Sequence, residues 1–139
     1  MPRNPSPAPD HLAANVLAGF AGGLLASYAM EKFHAALGRL TPDAGGAAVH
    51  YAFGGAVGAM YGAAAANNAE ITAWGGIPFG ATVWLIADEI GVPAAGAAEP
   101  RNEYSLASAA SALATHLVYG ATTEIVRRAL VRAFTPRRE

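Results

Sequence analysis

The sequence predicts an all-α fold, an integral membrane four-helix bundle, and three observations carry that prediction. Four apolar stretches, at 12–30, 47–66, 71–87 and about 105–126, approach the ~20 residues that a helix needs to cross a bilayer. Between them lie "GRLTPDAGG", "NNAE" and "AAGAAEPRNEYS", whose Pro, Gly, Asn and Asp residues stop and start helices. Glu and Lys are absent from the first three stretches. A soluble bundle of Ala-rich helices is the alternative, but its helices need a charged face opposite the apolar stripe.

Composition agrees. Only 14% of the 139 residues are charged, against a usual ~25%, and one domain is the expectation at this length. A net charge of −1 gives no argument for a nucleic-acid partner. With no cysteine, disulfides, thiolate metal sites and cysteine nucleophiles are excluded. No P-loop, dinucleotide fingerprint or Ser-His-Asp arrangement is visible, so an ordinary enzyme is not expected.

The first ten residues, "MPRNPSPAPD", are Pro-rich and expected to be disordered, with Asp10 as an N-cap. Residues 11–133 form the membrane domain. Its first span, 12–34, is too long for the apolar region of a signal peptide and follows a segment with a single Arg. The second, 44–66, opens after Asp43. The third, 71–91, contains Pro78, which removes a backbone hydrogen bond and should kink the helix near Trp74. The fourth, 105–127, leads into "RRALVRAFTPRRE", of which 134–139 is a basic tail. Glu124 stands three and four residues before Arg127 and Arg128 and reads as a solvated helix end.

Orientation follows from the basic residues. Arg127, Arg128, Arg132, Arg137 and Arg138 place the C-terminal flank in the cytoplasm, and four spans bring the N-terminus to the same side. The expected location is therefore a bacterial inner membrane, crossed several times, with the loops 38–46 and 92–104 facing the periplasm. Trp74 near the inner boundary and Tyr104 near the outer one fit interfacial belts.

Small residues recur every fourth position in each stretch: Gly19 and Gly23; Gly54, Gly58 and Gly62; Gly76 and Gly80; then Gly120. Such stripes let helix backbones approach closely in lipid, and surplus small faces make a homo-oligomer an expected partner beside the bilayer itself. Each stripe also meets an ionisable residue. These are Glu31 with His34 nearby, His50, Asp88 with Glu89 beside it, and His116. The given orientation puts all of them in the periplasmic half. A repeat is visible as well. Gly19, Gly23 and Glu31 have the spacing of Gly76, Gly80 and Asp88, while "HYAFG" at 50–54 matches "HLVYG" at 116–120. A duplicated helical hairpin with a pseudo-two-fold axis along the membrane normal would make the two histidines symmetry mates around one site.

Three chemistries suit that cluster. The groups can satisfy one another as a purely structural network. They can take up or relay protons, since intramembrane Asp, Glu and His chains are the usual material of proton relays. Or they can hold a cofactor. A divalent metal would use His50, His116, Glu31 and Glu89, and haem b would use His50 and His116 as axial ligands. Glu31 and His34 also have the Glu-x-x-His spacing of di-iron bundles, but a second copy is missing.

Taken together, "HYAFGGAVGAMYG", "GGIPFGATVWLIADEIGVP" and "HLVYG" resemble the YagU-like inner-membrane family over about residues 12–126. The resemblance implies a polytopic inner-membrane protein linked to acid resistance. It assigns no catalytic residues.

Overall fold

The computed structural model describes residues 9–38, 44–91, 94, 96 and 105–134. Ala and Leu, which lose little on entering a helix, dominate the first element, α1, Pro9–Ala36. Asp10 lies inside its first turn, where its charge suits the helix dipole, rather than capping it from outside. The helix closes where Leu37 N–H donates to the Phe33 carbonyl and Gly38 takes a left-handed φ of 72°. Asp43, Tyr104 and the loop basic residues Arg39 and Arg101 lie outside the described residues, as do 1–8 and 135–139.

The second helix, α2, is Ala44–Asn67. Asn68 follows it and accepts the Glu70 N–H on its side chain, opening a 3-10 segment, Ala69–Gly76. Here the sequence expectation of one helix over 71–91 is corrected. Ala73 is extended, and Trp74, Gly75 and Gly76 take φ of 58°, 63° and 83°. The paired glycines make this left-handed break accessible. Helix α3 then starts at Ile77 and ends at Trp84, followed by a π-helical turn, Leu85–Gly91. Pro78 sits in the first turn of α3, where its missing N–H would have no helical partner anyway. The kink is upstream of the proline, not caused by it. The last helix, α4, is Leu106–Phe134 and runs beyond the expected end at 127.

All described regular structure is helical, with four α-helices in antiparallel succession. Helix α1 packs on both α2 and α4, and α4 packs on α3. Helices α2 and α3 meet instead through aromatic rings. Tyr61 stacks on Phe79 at 4.2 Å, and Phe79 lies 5.8 Å from Tyr119.

The interior is small or polar. Ala18, Ala26, Met30, Tyr61 and Tyr119 are its buried hydrophobic residues, alongside Asn15, Ser27, Thr115, His116, Thr123, Glu124 and Arg127. Large aliphatic and aromatic side chains, among them Leu17, Phe20, Val49, Phe53, Met60 and Ile125, point outward. Backbone meets backbone where the glycines lie: a Cβ on Gly19 would strike the Gly58 carbonyl, and one on Gly62 the Asn15 carbonyl. From Asp10 to Ala36, α1 is long and apolar enough to cross a membrane.

Candidate functional site

The antiparallel order gathers the ionisable residues named from the sequence at one end of the bundle, where α1 finishes and α2 begins. His116 is buried on α4, and its Nδ1 donates to the Ala112 carbonyl at 2.9 Å. The same nitrogen lies 3.7 Å from Asp88 Oδ2. Side chains lean toward the N-terminus of their own helix. In an antiparallel pair that tilts Asp88 and His116 toward each other. His34 and Glu89, both half-buried, stand close enough to act on the Asp88 charge. A carboxylate beside an imidazole at this separation can hold an ion pair, with the ring as the partner whose charge ordinarily changes between pH 5 and 8.

Glu31 and His50 take other partners. Tyr51 donates to Glu31 Oε2 at 3.0 Å, and Lys32 Nζ lies 3.5 Å from Oε1. His50 Nε2 lies 3.3 Å from the Ser27 carbonyl. The structure thus joins Asp88 with His116, His34 and Glu89, and gives Glu31 and His50 separate contacts with α1 and α2. Among the described residues, no three His, Asp or Glu side chains are grouped as metal ligands are. Neither the set of His50, His116, Glu31 and Glu89 nor a bis-histidine haem gains support, since His50 Nε2 already faces a carbonyl.

The two histidines differ because the two hairpins pack in different registers. Gly23 meets the Gly54 carbonyl in the first, whereas Gly76 meets the Gly120 carbonyl and Gly80 that of His116 in the second. The repeat equates Gly23 with Gly80 and Gly54 with Gly120. The second hairpin has therefore slipped by four residues, one helical turn or ~6 Å. Size explains it. Ser27 fills the slot against Gly54, and the equivalent position of α3 is Trp84, whose indole is far too large for such a gap.

The opposite end holds a second charged site that the sequence reading missed. Glu124 is 1% exposed, so the expectation of a solvated pair is corrected. Arg127 grips it with two bonds, Nε to Oε2 at 2.7 Å and Nη2 to Oε1 at 2.8 Å, and passes Nη1 to Asn15 Oδ1 at 2.6 Å. Arg128 donates to Glu124 as well, and its Nη2 bonds the Thr72 carbonyl at 2.9 Å. The Tyr61 ring lies 6.0 Å from the Arg127 guanidinium carbon. One signal was present in the sequence: the i+4 stripe through His116 and Gly120 reaches Glu124 next.

The fold and these two polar ends define a glycine-packed, all-helical bundle with charges held inside. Residues 24–125 match the family described as a protein of unknown function, DUF1440, and the chain belongs to that family. The matched stretch includes Glu31, His34, His50, Asp88, Glu89 and His116. No curated protein and no solved structure matches the chain.

Proposed function

We propose that this protein is a multi-pass bundle of a bacterial inner membrane, both termini cytoplasmic, whose Asp88–His116 pair responds to protons on the periplasmic side. The membrane part is supported by the inverted packing. The largest fully buried side chains are Glu124, Asn15, Thr115, Thr123 and Ser27, while Met60 and Val49 are 72% and 70% exposed. Water penalises that arrangement. In lipid it is favourable, because aliphatic side chains face hydrocarbon and polar groups turn to one another.

The proton part is carried by one observation: a buried imidazole 3.7 Å from a half-exposed carboxylate. Asp88 gives the pair access to the outside, and protonating His116 turns the contact into an ion pair between the π-helical turn and α4. At the far end Glu124, the next acid along the same face of α4, is closed off by Arg127 and Arg128. No open carboxylate continues the face from His116, so the reading is a one-sided responder rather than a conducting path. The acid-resistance link implied by the YagU-like resemblance agrees with it.

The test is a pH titration of the histidine ring signals by NMR in detergent micelles. The His116 ring signals should move with pH, and Asp88→Asn should alter that response. A His116 signal that does not move with pH ends the proton reading. Reporter fusions that place either terminus in the periplasm end the proposed orientation.

A further inference from the structure

Beside the Tyr61–Phe79 stack, α2 and α3 border an apolar groove of about 450 Å³. Phe53, Val57 and Met60 form one wall and Ile71, Phe79 and Ile86 the other. From Phe53 to Ala64 the groove follows ~16 Å of helix. Half of a ~30 Å hydrocarbon core is about the same length, so the groove matches the depth of one leaflet. The groove is narrower than a helix ~10 Å across, whose whole volume over this length is more than twice 450 Å³. A single extended hydrocarbon chain fits.

The end of the groove is charged in a specific way. Ile71, Phe79 and Thr82 of its lining also border a smaller cavity of about 310 Å³, completed by Glu70 and Pro78. Glu70 is exposed there. One residue past Ile71, the Thr72 carbonyl is bonded by Arg128, whose side chain is 43% exposed. Glu124 neutralises only one of the two arginines it holds, so Arg128 keeps surplus positive charge. A carboxylate thus lines the smaller cavity, and a cation is bonded to the residue that follows Ile71 in the chain.

We propose that this groove binds one phospholipid whose headgroup carries both a phosphodiester and an ammonium, an inference that rests on the membrane reading above. One acyl chain lies between α2 and α3, the phosphate meets Arg128, and the ammonium meets Glu70. A headgroup with phosphate and no amine would leave Glu70 beside another negative charge. That favours the zwitterionic lipid over an anionic one.

The experiment uses the full chain in nanodiscs holding equal amounts of phosphatidylethanolamine and phosphatidylglycerol. It is followed by release into mild detergent and native mass spectrometry. The wild type should retain one phosphatidylethanolamine. Val57→Trp and Ala64→Phe, which fill the groove, should each lower retention at least about tenfold with helical content unchanged. Leu17→Trp, on the exposed face of α1, which does not line the groove, should retain the lipid. Glu70→Gln should shift the preference toward phosphatidylglycerol by roughly two- to fivefold, the range a partly exposed ion pair carries. Equal retention by the wild type and both filled variants overturns the proposal. So does a wild-type dimer that either filled variant dissolves. A chain that needs detergent but holds no lipid defeats this inference alone, whereas one that stays in solution without detergent defeats the membrane reading too.

Discussion

The two ends of the bundle hold charge in opposite ways. At the Glu124 end, the carboxylate accepts from two arginines, and Arg127 spends its remaining reach on Asn15, 112 residues away in the chain. At the Asp88 end the imidazole–carboxylate contact is 3.7 Å long, and the carboxylate stays 34% exposed. The first arrangement is closed, since any change of protonation leaves a buried charge without its partner. The second leaves its carboxylate partly in contact with solvent, as the proposed proton response requires. On that proposal one chain fixes its helices at one end and responds at the other.

The largest test of this contrast is Arg127→Leu. It removes both bonds of Arg127 to Glu124 and leaves the buried carboxylate with the part-exposed Arg128 alone, and breaking one side of a buried pair costs about 3–5 kcal/mol. Unfolding in detergent should show that loss, and a change under about 1 kcal/mol would mean the network is not what holds this end.

Next comes the glycine contact between the ends. Gly58→Leu drives a side chain into the Gly19 carbonyl and the Gly23 backbone, so about 1–3 kcal/mol should go to overpacking. The same thermal melts read it, and an unchanged midpoint would separate α1 from α2.

A smaller effect is expected at the strained break. Trp74 takes a left-handed φ of 58° and is 84% exposed, so Trp74→Gly should relieve about 1 kcal/mol of backbone strain without losing packing. Destabilisation instead would reveal an anchoring role for the indole at the interface.

The smallest change in stability, and the sharpest in pH dependence, belongs to Asp88→Asn. A positive charge on an imidazole is favoured by a carboxylate 3.7 Å away, and Asp88→Asn removes that carboxylate. The wild type should therefore tolerate acidification from pH 8 to 5.5 better than the variant. The difference should stay below about 1 kcal/mol because Asp88 is partly solvated. Parallel stability curves for the two proteins would show that the pair does not sense protons.

Much of the fold is legible in the sequence because composition sets it. Four Ala-, Gly- and Leu-rich stretches separated by helix breakers can form little else. What is not legible depends on size and on distant partners. The break at Trp74–Gly76 competes with Pro78 for the same kink, and only the glycine pair allows left-handed backbone there. The register of the second hairpin depends on whether Ser27 or Trp84 fits a gap, which spacing cannot report. Glu124 was misread because its near neighbours Arg127 and Arg128 suggest a solvated pair, while Asn15, which completes the site, lies at the other end of the chain. Asp88 and His116 were the readable part, since a repeated stripe points both residues at one interface.

The contact between Gly19, Gly23, Gly54, Gly58 and Gly62 also dictates how this protein tolerates mutation. In a water-soluble domain, saturation mutagenesis finds the interior demanding bulk and the surface accepting almost anything small or polar. In the membrane bundle proposed above, the ranking should invert. The outward face of α2, at Val49, Phe53 and Met60, should accept any aliphatic residue and reject lysine or aspartate. The inner stripe should reject every residue heavier than glycine, alanine excepted at the loosest positions. A selection that scores only survival would then report the interior as the place where a methyl group is fatal.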